Sequence, residues 1–259
     1  MAWTDYLRLI RFKGHVTFLG VVAAAIFFAG RIDSELIKNL LLLYLSFNVL
    51  LYGGIYAVND VADLKADKAN PLKKNRPLSS GKVTANAALI FAAMLISLGL
   101  ISGYVLFGIK MLYIYFAFLA FNAFYSFVAK KVHYLYIIGA SITHPLRGLM
   151  ALVMIGYEQI PYFLLLAYFF LVVGSTCNRK IVERDVNGRE ATEVLKKYTS
   201  KQLLLIEIAA FAAIIALAVI DDSKYRLLYG IIILTYIIFV FAVYFSKKVR
   251  NLCKSVLTH

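Results

Sequence analysis

Apolar residues run along this chain in long unbroken stretches rather than in an alternating or narrow-striped pattern. Eight stretches lie near 15–30, 37–57, 84–107, 111–129, 134–156, 160–177, 202–220 and 226–246. At about 1.5 Å of rise per helical residue they are the lengths that cross roughly 30 Å of hydrocarbon. The first is the shortest; it begins too far into the chain, and lacks the small-residue cleavage pattern, to be a removed signal peptide. A membrane barrel needs strands that alternate apolar and polar positions, which these runs lack. The pattern predicts an all-α polytopic membrane protein, each helix satisfying its own backbone polar groups.

The polar interruptions are unequal. Residues 4–14 mix Tyr6, Leu7, Leu9, Ile10 and Phe12 with Arg8, Arg11 and Lys13, which predicts an interfacial amphipathic helix over about 1–14. Outer connections are short, as at Gly156-Tyr157-Glu158-Gln159. Two breaks are long and highly charged, 58–83 and 178–201, and they fall four spans apart. That spacing hints at two four-helix halves, without a supporting sequence repeat. A single domain over 1–259 with one active face is the economical organisation.

Composition sharpens this picture. The chain is 62% hydrophobic with a net charge of +14. Such basicity could indicate a nucleic-acid partner, but its distribution excludes one. Eight spans put both ends and the loops after spans 2, 4 and 6 on one side, and all but six of the 28 Lys and Arg lie there. The exceptions are Arg31, Lys38, Lys110, Lys224 and Arg226 in the opposite loops, and Arg147 inside span 5. By the positive-inside rule the rich side is cytoplasmic, with both termini and both long loops, and it attracts anionic lipid. Cys177 and Cys253 are isolated and without metal-ligand spacing, so they read as packing residues.

Candidate chemistry concentrates where the second span ends, at Asn59-Asp60-Val61-Ala62-Asp63-Leu64-Lys65-Ala66-Asp67, in a chain with only 14 acidic residues. Asn59, Asp63 and Asp67 are spaced four apart, and Asp60 precedes Asp63 and Asp67 by three and seven, so a helix gathers all four on one face. Carboxylates crowded at membrane depth repel unless a cation joins them. Hard oxygen ligands suit Mg²⁺, which tends to keep waters and bind a substrate phosphate. Lys73, Lys74 and Arg76 follow directly, before the Pro77-Leu78-Ser79-Ser80-Gly81 turn. Acids that hold a metal beside cations that neutralise phosphate oxygens make a metal–diphosphate site.

The run from Asn59 to Gly81 closely resembles the first signature of the UbiA superfamily of intramembrane prenyltransferases: N-D-x-x-D-x-x-x-D, a basic stretch, then an R-P turn ending in Gly. The resemblance implies a helical bundle of eight or nine spans around a central cavity, Mg²⁺ on the Asp motifs, and a lipid-facing opening for a polyprenyl chain. Nine spans are usual in the family and eight are read here. Asp60, Asp63 and Asp67 are then the catalytic metal ligands, and Asn59 orients a phosphate.

Prenyl-transferring members carry a second D-x-x-x-D motif after span 6, and this chain does not. It has Asn178-Arg179-Lys180-Ile181-Val182-Glu183-Arg184-Asp185, with a further acid at Glu190, and then Tyr198-Thr199-Ser200. Glu183 and Asp185 are two apart and do not share a helix face; a second metal would fall to Glu183, Asp185 or Glu190. This departure resembles the decaprenyl-phosphate phosphoribosyltransferase branch, with a basic pair and a Glu at a helix end and a Tyr-Thr-Ser turn before span 7. That resemblance implies a phosphoribosyl diphosphate donor and a polyprenyl phosphate acceptor. An anionic acceptor needs no general base, but it needs cations, and Lys73, Lys74, Arg76, Arg147, Arg179 and Lys180, with Glu183 and Tyr198, are the expected phosphate-binding set.

Arg147 stands mid-span in Thr143-His144-Pro145-Leu146-Arg147-Gly148, where an arginine is costly without a partner. It reads as a buried anion site or as half of an ion pair with Glu207. Tyr52, Tyr56, Phe121 and Tyr125 are positioned to line a lipid tunnel or to offer π faces to a cation. The favoured activity is therefore an Mg²⁺-dependent transfer of 5-phosphoribosyl to polyprenyl phosphate with release of diphosphate. The alternative is prenyl transfer from a polyprenyl diphosphate to an aromatic or glycerophosphate acceptor, and a transporter is a distant third.

Overall fold

A computed structural model describes residues 3–69, 73–187, 197–221 and 225–241, and side chains throughout these except at 13, 182–187 and 241. The described residues form helices and turns, with no strand among them. They comprise α1 (Trp3–Leu9), a 3-10 segment (Phe12–Phe18) leading into α2 (Leu19–Ala29), α3 (Ser34–Ala62), α4 (Leu64–Ala69), α5 (Ala85–Phe107), α6 (Ile109–Phe127), α7 (Leu135–Met154), α8 (Tyr162–Asn187), α9 (Ser200–Ile220) and α10 (Arg226–Thr235). Six helices are long and apolar enough to cross a bilayer among the described residues, and they match spans 2 to 7. Span 1 is the second arm of a pair bent by 44°, Trp3–Leu9 with Gly14–Ala29. Span 8 is described only as the shorter apolar helix Arg226–Val240.

Three boundaries differ from the sequence expectation. The N-terminal amphipathic helix stops at Leu9, because Arg11 adopts left-handed dihedrals (φ 54°, ψ 57°) that no α-helix continues. α8 runs ten residues past the apolar stretch, so Asn178, Arg179, Lys180 and Glu183 stand on a helix rather than in a loop. Hydropathy falls there, but Arg, Lys, Ile and Glu are sound helix formers, and nothing before Gly188 interrupts them. α7 is broken at Ile142, between Leu135–Ser141 and Thr143–Met154, because Pro145 cannot donate to the Ser141 carbonyl.

The chain divides into two compact units, Met1–Asn122 with Leu146–Ile160, and Ala123–Pro145 with Pro161–His259. The division falls inside α6 and α7, not between spans 4 and 5. In the first unit α3 presents Leu43, Phe47, Leu51 and Ile55 to the core. A strict four-residue stripe drifts around a cylinder of about 3.6 residues per turn. The wider π-helical turns of Tyr44–Tyr52 take up that drift and keep the stripe on one face. α5 buries Ala88, Ala92, Leu95, Gly99 and Gly103 and leaves Ile90, Met94, Leu98, Ile101 and Val105 exposed, as a lipid-facing helix does. Its small residues let it cross α3 at backbone contact: a Cβ on Gly99 would lie 2.7 Å from the Leu51 nitrogen. This crossing carries the acidic end of α3.

In the second unit α8 packs along α9. Asn178 donates to the carbonyls of Phe239 and Val240, at 3.1 and 2.6 Å, in the π-helical stretch Tyr236–Phe241 that continues α10. The Tyr-Thr-Ser turn is the N-terminus of α9. Thr199 Oγ1 accepts from the Gln202 N–H (3.1 Å) while Gln202 Oε1 accepts from the Thr199 N–H (2.9 Å), a reciprocal capping box.

Candidate functional site

The acidic cluster is assembled entirely within the first unit. α3 ends at Ala62 and Asp63 caps it, yet the helical hydrogen bonds pass through the break: Asp63 N–H to the Asn59 carbonyl (2.9 Å) and Asp67 N–H to the Asp63 carbonyl (2.8 Å). The helical register therefore continues across the break into α4, and Arg76 links Asp60 with Asp67. Asp60 and Asp67 are buried, and Asn59 and Asp63 half-buried.

Each buried carboxylate is met by cations. Arg11 pairs with Asp60, and its guanidinium stands 5.5 Å over the Tyr56 ring. Lys73 Nζ lies 2.9 Å from Asp67 Oδ1. Arg76 reaches both acids through one nitrogen, Nη1, 2.5 Å from Asp67 Oδ2 and 3.6 Å from Asp60 Oδ1. Lys74, next to Lys73, is exposed. The backbone of this basic loop is held independently of its charges. Leu78 and Val83 are buried with Leu9, Ala57, Ala88 and Ala92, and the Ser80 N–H and hydroxyl both donate to the Arg76 carbonyl at 2.9 and 2.8 Å. Gly81, at φ +77°, closes the turn before Thr84 caps α5.

Among the described residues no three acid, thiol or imidazole groups converge as a ready metal-ligand set. The donor chemistry nonetheless fits a hard cation. Two buried carboxylates already address one cationic atom, Arg76 Nη1, and a Mg²⁺ there would complete its shell with water and phosphate oxygens. Sequence spacing did not single out Arg11 or Tyr56 for this cluster. Arg11 pairs with an acid 49 residues away, and such a distance leaves no periodic trace.

Arg147 also belongs to the first unit. It is 3% exposed, with its guanidinium carbon 4.6 Å over Tyr52 and 5.4 Å from the centres of both Phe47 and Phe118. Nη1 donates to the Thr17 hydroxyl at 2.5 Å, and Nε is buried without a hydrogen-bond partner. Aromatic faces and a hydroxyl surround this cation rather than a carboxylate. The Tyr52 face, a candidate stabiliser of a substrate cation, is thus occupied by Arg147.

In the second unit Lys180 is buried with its ammonium 4.4 Å over the Tyr136 ring, and Arg179 is exposed. Glu183 lies on α8 with its side chain outside the described set; Asp185 does likewise, and Glu190 falls wholly outside it. Tyr198 is buried and stacked on His133 at 4.1 Å, and its hydroxyl accepts the Tyr134 N–H at 2.8 Å. Burial pushes this phenol up to about 12, so it stays a neutral hydroxyl at physiological pH. Its hydrogen bond holds the chain where Tyr134 takes a positive φ of 66° ahead of α7. Tyr198→Phe is expected to cost about 1 kcal/mol. The loss should appear as a lower apparent Tm in detergent.

Comparison with known proteins adds to this geometry. The model of the UbiA prenyltransferase family matches residues 18–258. The chain belongs to the UbiA prenyltransferase family. A digeranylgeranylglyceryl phosphate synthase of Methanocaldococcus jannaschii is 37% identical over 98 residues, covering 37% of this chain and 32% of that protein. A decaprenyl-phosphate phosphoribosyltransferase of Corynebacterium glutamicum is 27% identical over 176 residues, covering 66% of this chain and 53% of that protein. The matches thus span from a third to about half of these relatives' length. The UbiA fold is shared with a UbiA homologue from Archaeoglobus fulgidus, solved bound to GPP and Mg²⁺, with a TM-score of 0.74 at 16% identity over 98% of this chain and 95% of that one. This UbiA-family chain is an integral membrane protein. The UbiA signature read in the sequence is the segment that carries its acidic cluster.

Proposed function

We propose that this UbiA-family protein transfers a prenyl group from a polyprenyl diphosphate to a glycerophosphate-type lipid acceptor, releasing diphosphate. The observation that carries this reading is the pair of buried carboxylates, Asp60 and Asp67, ringed by Arg11, Lys73 and Arg76 at the end of an apolar helix. The similarity to digeranylgeranylglyceryl phosphate synthase supports the acceptor class, and a solved homologue with GPP and Mg²⁺ supports the donor class and the metal.

Asp60, Asp63 and Asp67 would hold Mg²⁺, and Asn59 would orient a ligand or phosphate. Bound there, Mg²⁺ supplies charge neutralisation for the departing diphosphate. Lys73, Lys74 and Arg76 meet the remaining phosphate oxygens. The bond from the allylic carbon to the diphosphate oxygen breaks, its electron pair leaving with diphosphate. An acceptor hydroxyl oxygen forms the new bond and gives up its proton to an oxygen of the departing diphosphate. Cations facing the leaving group stabilise the charge that grows on it. Arg147 is assigned to an anionic substrate group, because its three aromatic neighbours satisfy its faces but not its buried Nε. The positive-inside distribution supports a cytoplasmic face for these loops and both termini.

A second reading is transfer of 5-phosphoribosyl from phosphoribosyl diphosphate to polyprenyl phosphate. It is favoured by the basic pair Arg179-Lys180 followed by Glu183, which stands where prenyl-transferring members carry a second Asp pair. The similarity to a decaprenyl-phosphate phosphoribosyltransferase also supports it. In this reading Arg179, Lys180, Glu183 and Tyr198 belong to the phosphate-binding end of α8 and the start of α9.

Purified protein in detergent, given Mg²⁺, separates the two. One arm offers labelled prenyl diphosphate with a glycerophosphate lipid, the other labelled phosphoribosyl diphosphate with polyprenyl phosphate. Lipid-extractable product only in the first arm is the expected result. Product only in the second arm replaces the first reading by the second.

A further inference from the structure

The charges around Asp60 and Asp67 point to more than a list of ligands. Two buried carboxylates are answered by three cationic side chains, Arg11, Lys73 and Arg76. A divalent cation entering alone would have to displace Arg76 from the atom position it shares between the two acids. It would then set a doubly charged ion beside three cations that share two carboxylates, with Arg76 displaced from both, at a membrane edge where unpaired charge is costly. A diphosphate removes that cost, because its oxygens accept from the displaced guanidinium and ammonium groups while also ligating the metal. The loop does not have to move for this exchange. From Arg76 to Val83 the backbone is held by Leu78, Val83 and the Ser80 hydrogen bonds, so the Arg76 side chain can change partners without it.

We infer that Arg76 is an internal stand-in for the metal, and that it couples the two ligands: metal binds weakly without diphosphate, and diphosphate binds weakly without metal. Arg76 passes between two partners, the carboxylates in the free protein and the diphosphate in the loaded one. This makes it a positioning residue whose loss has opposite effects on the two ligands. The inference rests on the reading of this cluster as a metal–diphosphate site.

The test uses the full-length protein in detergent, with Mn²⁺ as the metal probe and ³²P-labelled inorganic diphosphate as the anion probe. Binding of Mn²⁺ alone is followed by electron paramagnetic resonance of the free ion. Diphosphate binding is followed by filter retention with and without Mg²⁺. Arg76→Gln is expected to bind Mn²⁺ alone about tenfold more tightly than the wild type, yet to retain diphosphate in Mg²⁺ about tenfold more weakly. Lys82→Gln removes the same charge from an exposed position in the same turn, and its effect on Mn²⁺ is expected to be less than about twofold, so that contact rather than general field is measured. A thermal melt of each variant confirms folding, and Arg76→Lys, which keeps the charge, is expected to lie near the wild type in Mn²⁺ affinity. If Arg76→Gln binds Mn²⁺ no better than the wild type, or no better than Lys82→Gln, the stand-in role is wrong while the site reading stands. If wild-type protein retains no diphosphate even with Mg²⁺, the site reading itself fails.

Discussion

Asp67→Asn should lower the rate of transfer by at least about a thousandfold while leaving the protein folded. The residue is 2% exposed, and its carboxylate meets both Lys73 and Arg76. Asparagine keeps its size and one acceptor oxygen, so the local packing and the α4 backbone are preserved. What is lost is the negative charge that would draw a divalent cation to the end of α3. Removing one charge-stabilising group from a preorganised site commonly costs about 3–4 kcal/mol of barrier, two to three decades of rate, and here the same change also weakens metal binding. The comparison is made at saturating donor with Mg²⁺ raised through the millimolar range. A variant that regains wild-type rate at high Mg²⁺ would show a weakened but intact metal site. One that keeps wild-type rate at ordinary Mg²⁺ would remove Asp67 from the chemistry altogether. Asp60→Asn should behave alike, since Arg76 links both acids.

The largest effect on stability is expected at a residue with no polar atom beyond its backbone. Gly99 lies where α5 crosses α3, and any Cβ there would stand 2.7 Å from the Leu51 nitrogen and 2.9 Å from its Cα. Those are backbone atoms, which cannot rotate aside as a side chain can. Gly99→Leu is therefore expected to cost about 3 kcal/mol or more, at the upper end of overpacking penalties. It should appear as a sharply lower apparent Tm and poor recovery in detergent. Gly99→Ala should cost less but be measurable. Gly54, one helical turn and a half before Asn59, meets α5 in the same way, its Cβ position lying 2.8 Å from the Ala92 carbonyl. A shift at this crossing moves the end of α3, so partial loss of folding and loss of transfer should track together through a Gly99 series. A Gly99→Leu protein as stable as the wild type would mean the two helices do not touch as described.

These two expectations separate what could be read from the residues alone. Class and family were legible because the membrane imposes simple rules. Long apolar runs have few other uses, and three aspartates at helical spacing beside Lys73, Lys74 and Arg76 have few chemical meanings. The first signature was specific enough to suggest the family, and the family match over 18–258 agrees. The favoured subtype was weaker. It rested on a missing second Asp pair, and the absence of a motif says little about which substrate replaced it.

Sequence by itself determined the helical membrane class, the acidic face of α3 and α4, and the basic loop that follows it. Each is local: a carboxylate four residues from another shares its face in any helix, whatever the rest of the chain does. Only tertiary structure decided which face of α5 meets α3, since Ile90 and Leu95 are alike in size and apolarity and only Leu95 is buried. Tertiary structure also decided that Arg11 joins Asp60 across 49 residues, that Arg76 bridges two acids, and that Arg147 rests among three aromatic rings instead of against a carboxylate. Such pairings depend on helix crossings and on one left-handed turn at Arg11, and in hydrocarbon those are settled by packing, where hydropathy carries no direction.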